Sequence, residues 1–151
     1  MRGLRASIVS KPGKTAKAIG QPFMPRFVIL EHQYQGVHWD FMLESGADLR
    51  TWRLEHPPIP GRMIAASSLP NHRRIYLEYE GEISGGRGRV TRLDQGEFEW
   101  LVNEPRSVDV RLAGGRVNGQ AYLRCGDSGD WTFQLTSAES ESGERTSVAV
   151  S

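Results

Sequence analysis

The sequence predicts an all-β fold, a small closed or partly open β-barrel with little helix. Three observations carry that prediction. Short segments alternate apolar and polar side chains, the period of a half-buried strand. Turn-forming groups such as Gly114-Gly115, Asn118-Gly119 and Gly126-Asp127-Ser128-Gly129 separate these segments at short intervals. No long amphipathic helix is visible; Arg62 to Ser68 has room for one helical turn at most.

Residues 1–25 contain Arg2, Arg5, Lys11, Lys14 and Lys17, no acidic residue and no sustained period, which reads as a basic flexible arm. All three lysines of the protein lie there, suited to contact with a phosphate backbone. Phe27 to Leu30 is the first strand, and Tyr34-Gln35-Gly36 turns the chain, with Gly36 free to take positive φ. From Val37 the alternation is strict: Val37, Trp39, Phe41 and Leu43 point one way, His38, Asp40, Met42 and Glu44 the other. After a turn at Ala47-Asp48, Leu49 to Leu54 forms the next strand. Pro57 to Gly61 is a loop, because its three prolines lack ladder donors. Arg73 to Glu80 alternates again, followed by a glycine loop over Gly81 to Arg89. Val90–Leu93, Phe98–Val102, Val108–Leu112, Gln120–Arg124 and Trp131–Leu135 complete the strands, with a turn predicted at Asp94-Gln95-Gly96. The Ser/Glu-rich end, 137–151, is expected to be disordered. The domain therefore spans 26–136.

Composition narrows the function. A chain of 151 residues suits one domain, and a net charge of +1 provides no global cationic field, so nucleic-acid binding must rest on a local patch. The single cysteine, Cys125, excludes an internal disulfide and fits packing in a reducing compartment. No apolar run reaches membrane-spanning length and no secretory leader is visible; a soluble cytoplasmic, nucleoid-associated monomer is expected. The Gly85-Gly86-x-Gly88 run follows a strand but opens no helix, so it is not a dinucleotide-binding fingerprint.

Two groups of residues carry chemistry. His38 and Asp40 project from one strand face, and His32, ending the preceding strand, can fold across to meet them. Two imidazoles and a carboxylate with open positions suit a divalent transition metal. Downstream, His72, Arg74 and Tyr76 share one face of the expected Arg73–Glu80 strand. An imidazole, a guanidinium and a phenol together suit a phosphate. Arg62, beside the proline loop, is placed to lean in; His56, before Pro57, reads as structural.

These residues resemble a known family. Glu31-His32 with Val37-His38-Trp39-Asp40-Phe41-Met42-Leu43-Glu44 is similar to the E-H-x(5)-L-H-Y-D-F-R-L-E motif of the 3′-phosphoesterase domain of bacterial DNA ligase D. Leu49-x-x-Trp52, the proline loop, Asn71-His72-x-x-x-Tyr76-x-x-Tyr79-Glu80-Gly81-Glu82-Ile83, the glycine loop and Leu112 to Arg124 with Trp131 resemble its later blocks, from about Arg26 to Leu135. The resemblance implies a small β-barrel that trims 3′ ends of DNA in end joining, removing a 3′-ribonucleoside and then the 3′-phosphate. It implies manganese, with Zn2+ or Co2+ as other candidates, held by His32, His38 and Asp40, and it places His72 and Tyr76 against the scissile phosphate. The implied partners are DNA 3′ ends, primer–template or nicked duplex, and a separate DNA ligase or polymerase, for a domain expected to stand alone. Three positions depart from the family: Met42 replaces an arginine, Ile64 another, and Pro70 an acidic residue. Arg74 and Arg62 are the candidates to supply the missing guanidinium.

Two other readings fit fewer residues. His38-x-Asp40 followed by His72 is also the order of the 2-His-1-carboxylate triad of Fe(II) oxygenases on β-barrels, which leaves His32 unused. The change at Met42 also fits a DNA-end-binding module that has lost catalysis.

Overall fold

The computed structural model describes residues 24–137, and the expected basic arm and C-terminal tail lie almost wholly outside them. The described chain runs β1 (Arg26–Gln33), β2 (Val37–Ser45), β3 (Asp48–Leu54), β4 (Met63–Arg73), a 3-10 helix (Arg74–Leu77), β5 (Gly81–Glu82), β6 (Arg89–Glu104), β7 (Ser107–Gly114), β8 (Asn118–Cys125) and β9 (Trp131–Ser137). The strands form one sheet in the order β1-β2-β3-β4-β9-β8-β7-β6-β5, and β6 pairs back onto β1. Eight strands thus close into a ring, all neighbours antiparallel, with β5 paired to the start of β6. Closure leaves few open strand edges for stray pairing. The all-β expectation holds, and Ser137 belongs to the last strand rather than to a tail.

Alternation along the strands fills the ring. Phe27 and Ile29 of β1, Phe41 and Leu43 of β2, Trp52 and Leu54 of β3, and Phe133 and Leu135 of β9 are buried together inside it. Phe41 meets Phe133 edge-on at 5.3 Å between centroids, and Trp52 meets Trp131 at 5.6 Å. Such aromatic pairs contribute about 0.5–1.5 kcal/mol each beyond their buried area. Cys125 packs against this core as a free thiol.

A second, smaller cluster lies on the opposite face of β1–β3. Val28, Leu30, Met42, Leu49, Leu77 and Val90 are buried there, with Tyr76, Tyr79 and Ile83 packed against them. The segment from Arg74 to Gly88 therefore covers the outside of the first hairpin. This cover buries the face carrying His38, Asp40, Met42 and Glu44, which alternation alone marks as polar.

Several elements differ from expectation for identifiable reasons. Arg62 to Ser68 holds no helical turn: Met63 to Arg73 is β4, buried through Ile64 and Ala66. Pro70 is tolerated in it because the β3–β4 register slips between Leu49 and Thr51, so no ladder partner needs a proline N–H. Arg73 to Glu80 is not a strand; it enters a 3-10 turn in which Leu77 is buried and Ile75 is exposed. Asp94-Gln95-Gly96 does not turn the chain, since β6 runs through it. Gly96 is required there for another reason: a Cβ would sit 2.2 Å from the Ala113 carbonyl oxygen. Asp94 instead accepts hydrogen bonds from the backbone N–H groups of Gly115, Arg116 and Val117 at 3.0, 2.9 and 2.6 Å, ordering the β7–β8 turn.

Candidate functional site

The β1–β2 ladder sets His32 directly opposite His38, and the period of two returns Asp40 to the same outer face. The tight connection is made by Gln35 and Gly36, at φ of 53° and 111°, with Tyr34 N–H donating to the Gly36 carbonyl at 2.9 Å. His32 Nδ1 lies 3.2 Å from His38 Nε2 and 3.6 Å from Asp40 Oδ2, and His38 Nε2 lies 3.1 Å from Asp40 Oδ1. One donor atom from each residue falls within 4.8 Å of the others. Three ligand atoms therefore face one point from a rigid hairpin.

The glycine loop fixes how His32 presents itself. Gly85, Gly86 and Gly88 all take positive φ, and Ile83 N–H donates to the Gly88 carbonyl at 2.7 Å, folding the loop back on itself. Gly88 passes so close to β1 that a Cβ would stand 1.9 Å from the Gln33 carbonyl oxygen. This approach brings the Arg87 carbonyl to 2.8 Å from His32 Nε2. A carbonyl only accepts, so Nε2 carries the proton and Nδ1 of the neutral ring presents a lone pair to the cluster.

The donor set fits a divalent cation. Asp40 is 3% exposed; His38 Nε2 stands 3.1 Å from its Oδ1 but not in hydrogen-bond geometry, so that oxygen has no hydrogen-bond partner among the described residues. A buried carboxylate oxygen left without a donor is costly unless a cation completes it. Two imidazole nitrogens and one carboxylate, open on the remaining side, match a catalytic rather than a closed structural metal site.

A cleft of about 170 Å3 opens beside the cluster, lined by His32, Asp40, Met42, His72, Tyr76 and Arg87 among others. His72 stands at the end of β4, and its Nδ1 donates to the Pro70 carbonyl at 2.9 Å, turning Nε2 outward as the exchangeable position. Tyr76, in the 3-10 turn, packs edge-on against His72 at 5.8 Å. The two groups expected on one strand face are thus brought together by a strand end and a helical turn.

Neither expected arginine joins them. Arg74 forms an ion pair with the buried Glu44 and reaches the Gly46 carbonyl, so it closes the outer cluster instead of the cleft. Arg62 precedes β4 near Pro60, roughly 30 Å along the strand from His72 at the usual rise per residue. Met42 is 1% exposed and lines the cleft wall as an apolar residue. The oxygenase triad is not assembled either: His32, not His72, completes the cluster with His38 and Asp40. Arg87, an arginine bracketed by glycines next to a strand, joins the cleft lining without any local pattern that marks it. Tyr34 does more than turn the chain: its ring stacks on His32 at 6.1 Å and lines the cleft.

A model of the DNA Ligase D 3′-phosphoesterase domain matches residues 30–124, which include both chemical groups and the glycine loop that follows them. The chain belongs to this phosphoesterase family. It is similar to the multifunctional non-homologous end joining protein LigD of Mycobacterium bovis, 32% identical over 106 residues. The multifunctional non-homologous end joining DNA repair protein LigD of Mycobacterium tuberculosis matches at the same 32%. The match covers 64% of this chain but only 14% of each LigD chain, so the phosphoesterase domain is compared with a small part of a much longer protein.

Proposed function

We propose that the protein is a metal-dependent 3′-phosphoesterase that processes DNA 3′ ends in end-joining repair. The carrying observation is the convergence of His32 Nδ1, His38 Nε2 and the Asp40 carboxylate beside a cleft that also holds His72 and Tyr76. Mn2+ is the proposed metal, with Zn2+ or Co2+ as substitutes; when bound it supplies a Lewis acid for a phosphate oxygen.

The chain's own groups perform the rest. His32, held in one tautomer by the Arg87 carbonyl, keeps a lone pair aimed at the cluster. Asp40 contributes the negative charge that draws a cation into a buried position. His72, with its Nδ1–H tied to the Pro70 carbonyl, presents Nε2 to the substrate; as the imidazolium it gives the Nε2 proton to the leaving oxygen, or a hydrogen bond to an oxygen on which negative charge develops. Tyr76 donates its hydroxyl to a phosphate oxygen. The buried outer cluster behind Met42 limits water on one side of the cleft.

The test is a labelled primer–template ending in a 3′-phosphate or a terminal ribonucleotide, incubated with and without Mn2+. Cleavage that needs the metal and is lost in His38→Ala, with a fall of about a hundredfold or more in turnover, is the expected result. Cleavage unchanged in His38→Ala refutes the assignment. Tight end binding without turnover in Mn2+ supports the end-binding alternative.

A further inference from the structure

The cleft does not end at His72. A wider, more open groove of about 380 Å3 continues from it, lined by Pro70, Asn71, His72, Arg73, Tyr76 and Arg87. His72, Tyr76 and Arg87 belong to both, so the groove leads directly away from the metal cluster. No carboxylate lines it; two arginines, an imidazole, an amide and a phenol do.

The charge of the two arginines is not neutralised by a carboxylate. Arg26, Arg53, Arg74, Arg92, Arg106, Arg111 and Arg124 each pair with an Asp or Glu. Arg73 and Arg87, like Arg50, Arg62, Arg89 and Arg116, pair with none among the described residues, although Asp48 stands opposite Arg73 in the β3–β4 ladder; what sets the two apart is that they line one groove beside the cleft. Both are exposed. Arg87 is positioned rather than free: its Nε donates to the Ser84 carbonyl at 2.8 Å and a terminal nitrogen to Ser84 Oγ at 3.4 Å. Two of its N–H donors thereby anchor the side chain to its own loop, and the others remain for an anion.

We propose that Arg73 and Arg87 form a backbone-phosphate subsite: they hold the phosphodiester upstream of the terminal one, so the site takes an oligonucleotide 3′ end rather than a mononucleotide. This extends the phosphoesterase reading, because the groove opens from that cleft. Two un-neutralised guanidinium groups lining the groove give affinity that depends on salt but not on base sequence.

The test uses the full chain with Mn2+ and a fluorescent single-stranded deoxyoligonucleotide ending in a 3′-hydroxyl, which has backbone phosphates and no 3′-phosphate to remove. Binding is measured by anisotropy over a range of salt concentrations. For single strands each phosphate contact contributes about 0.7 to the slope of log K against log salt. Arg73→Ala and Arg87→Ala should each reduce the slope by about 0.7, and the double variant by about 1.4. Arg73→Lys and Arg87→Lys should retain it, since the slope counts charge. Arg62→Ala, remote from the groove, should leave it unchanged and so fixes the contribution common to all variants, including the basic N-terminal residues.

Failure of oligonucleotide binding, or slopes unmoved in both alanine variants, overturns the subsite. Altered slopes with no Mn2+-dependent cleavage of a 3′-phosphorylated substrate keep the subsite and remove the esterase reading. Cleavage with unaltered slopes does the reverse.

Discussion

Gly88 links the glycine loop to the proposed metal site, and replacing it tests that link. At φ +83°, an alanine there is strained by about 1–2 kcal/mol. More importantly, its Cβ would lie 1.9 Å from the Gln33 carbonyl oxygen and 2.8 Å from Tyr34 Cβ. Backbone oxygen in β1 cannot yield as a flexible side chain can, so the loop must lift from the hairpin. Lifting it breaks the 2.8 Å bond between the Arg87 carbonyl and His32 Nε2. Loss of such a partner behind a metal-binding histidine lowers affinity by about 10- to 100-fold. That corresponds to about 1.4–2.8 kcal/mol in Mn2+ binding. Gly86→Ala is the matched control: it too has positive φ, +68°, but nothing lies within 4 Å of its added Cβ. Titration calorimetry with Mn2+ on both variants, alongside thermal unfolding, separates the effects. Gly88→Ala should lose both stability and metal affinity, and Gly86→Ala stability alone. Wild-type Mn2+ affinity in Gly88→Ala, or an equal loss in both variants, refutes the argument.

Three further outcomes follow from the geometry. Asp40→Asn should abolish the Mn2+-dependent rise in Tm, while the metal-free Tm stays level or rises, because it removes a buried charge whose Oδ1 has no donor; differential scanning calorimetry with and without metal reads this. Arg74→Ala should reduce stability by about 1–3 kcal/mol, the cost of leaving the buried Glu44 carboxylate with only the Arg26 N–H donor at 2.8 Å. Turnover per folded molecule should hold, because Arg74 is outside the cleft. Asp94→Ala should lower stability by about 2–4 kcal/mol in denaturant unfolding, since three backbone N–H groups of the β7–β8 turn lose their acceptor together.

Much of the fold and of the His32–His38–Asp40 cluster is legible in the sequence because both rest on local periodicity. Strict alternation from Val37 to Glu44 with a turn at Gln35-Gly36 places His32, His38 and Asp40 on one face without knowledge of the rest of the chain. What periodicity does not reveal is what covers that face. The Arg74–Gly88 segment folds over it, and the signal there misleads: Ile75, Leu77 and Tyr79 alternate as in a strand, yet the chain takes a 3-10 turn with Ile75 exposed. Arg74 consequently leaves the phosphate face it was expected to share and neutralises Glu44. β4 is hidden by composition, since Ala65, Ala66 and Pro70 disguise a strand whose irregular register accommodates the proline. The Asp94-Gln95-Gly96 turn signal is real chemistry applied elsewhere, as Asp94 orders a neighbouring turn and Gly96 permits close strand packing. Arg87 carries no local signal because its place in the cleft comes from long-range contact between the glycine loop and β1.

The proposed chemistry requires a cation held between the two imidazoles and the aspartate of the first hairpin. Anomalous diffraction at the manganese edge, from crystals of the full chain grown with Mn2+, tests it most directly. A single peak within coordination distance of His32 Nδ1, His38 Nε2 and Asp40 is the predicted result. A peak elsewhere, with these three side chains hydrogen-bonded only to one another, would contradict it.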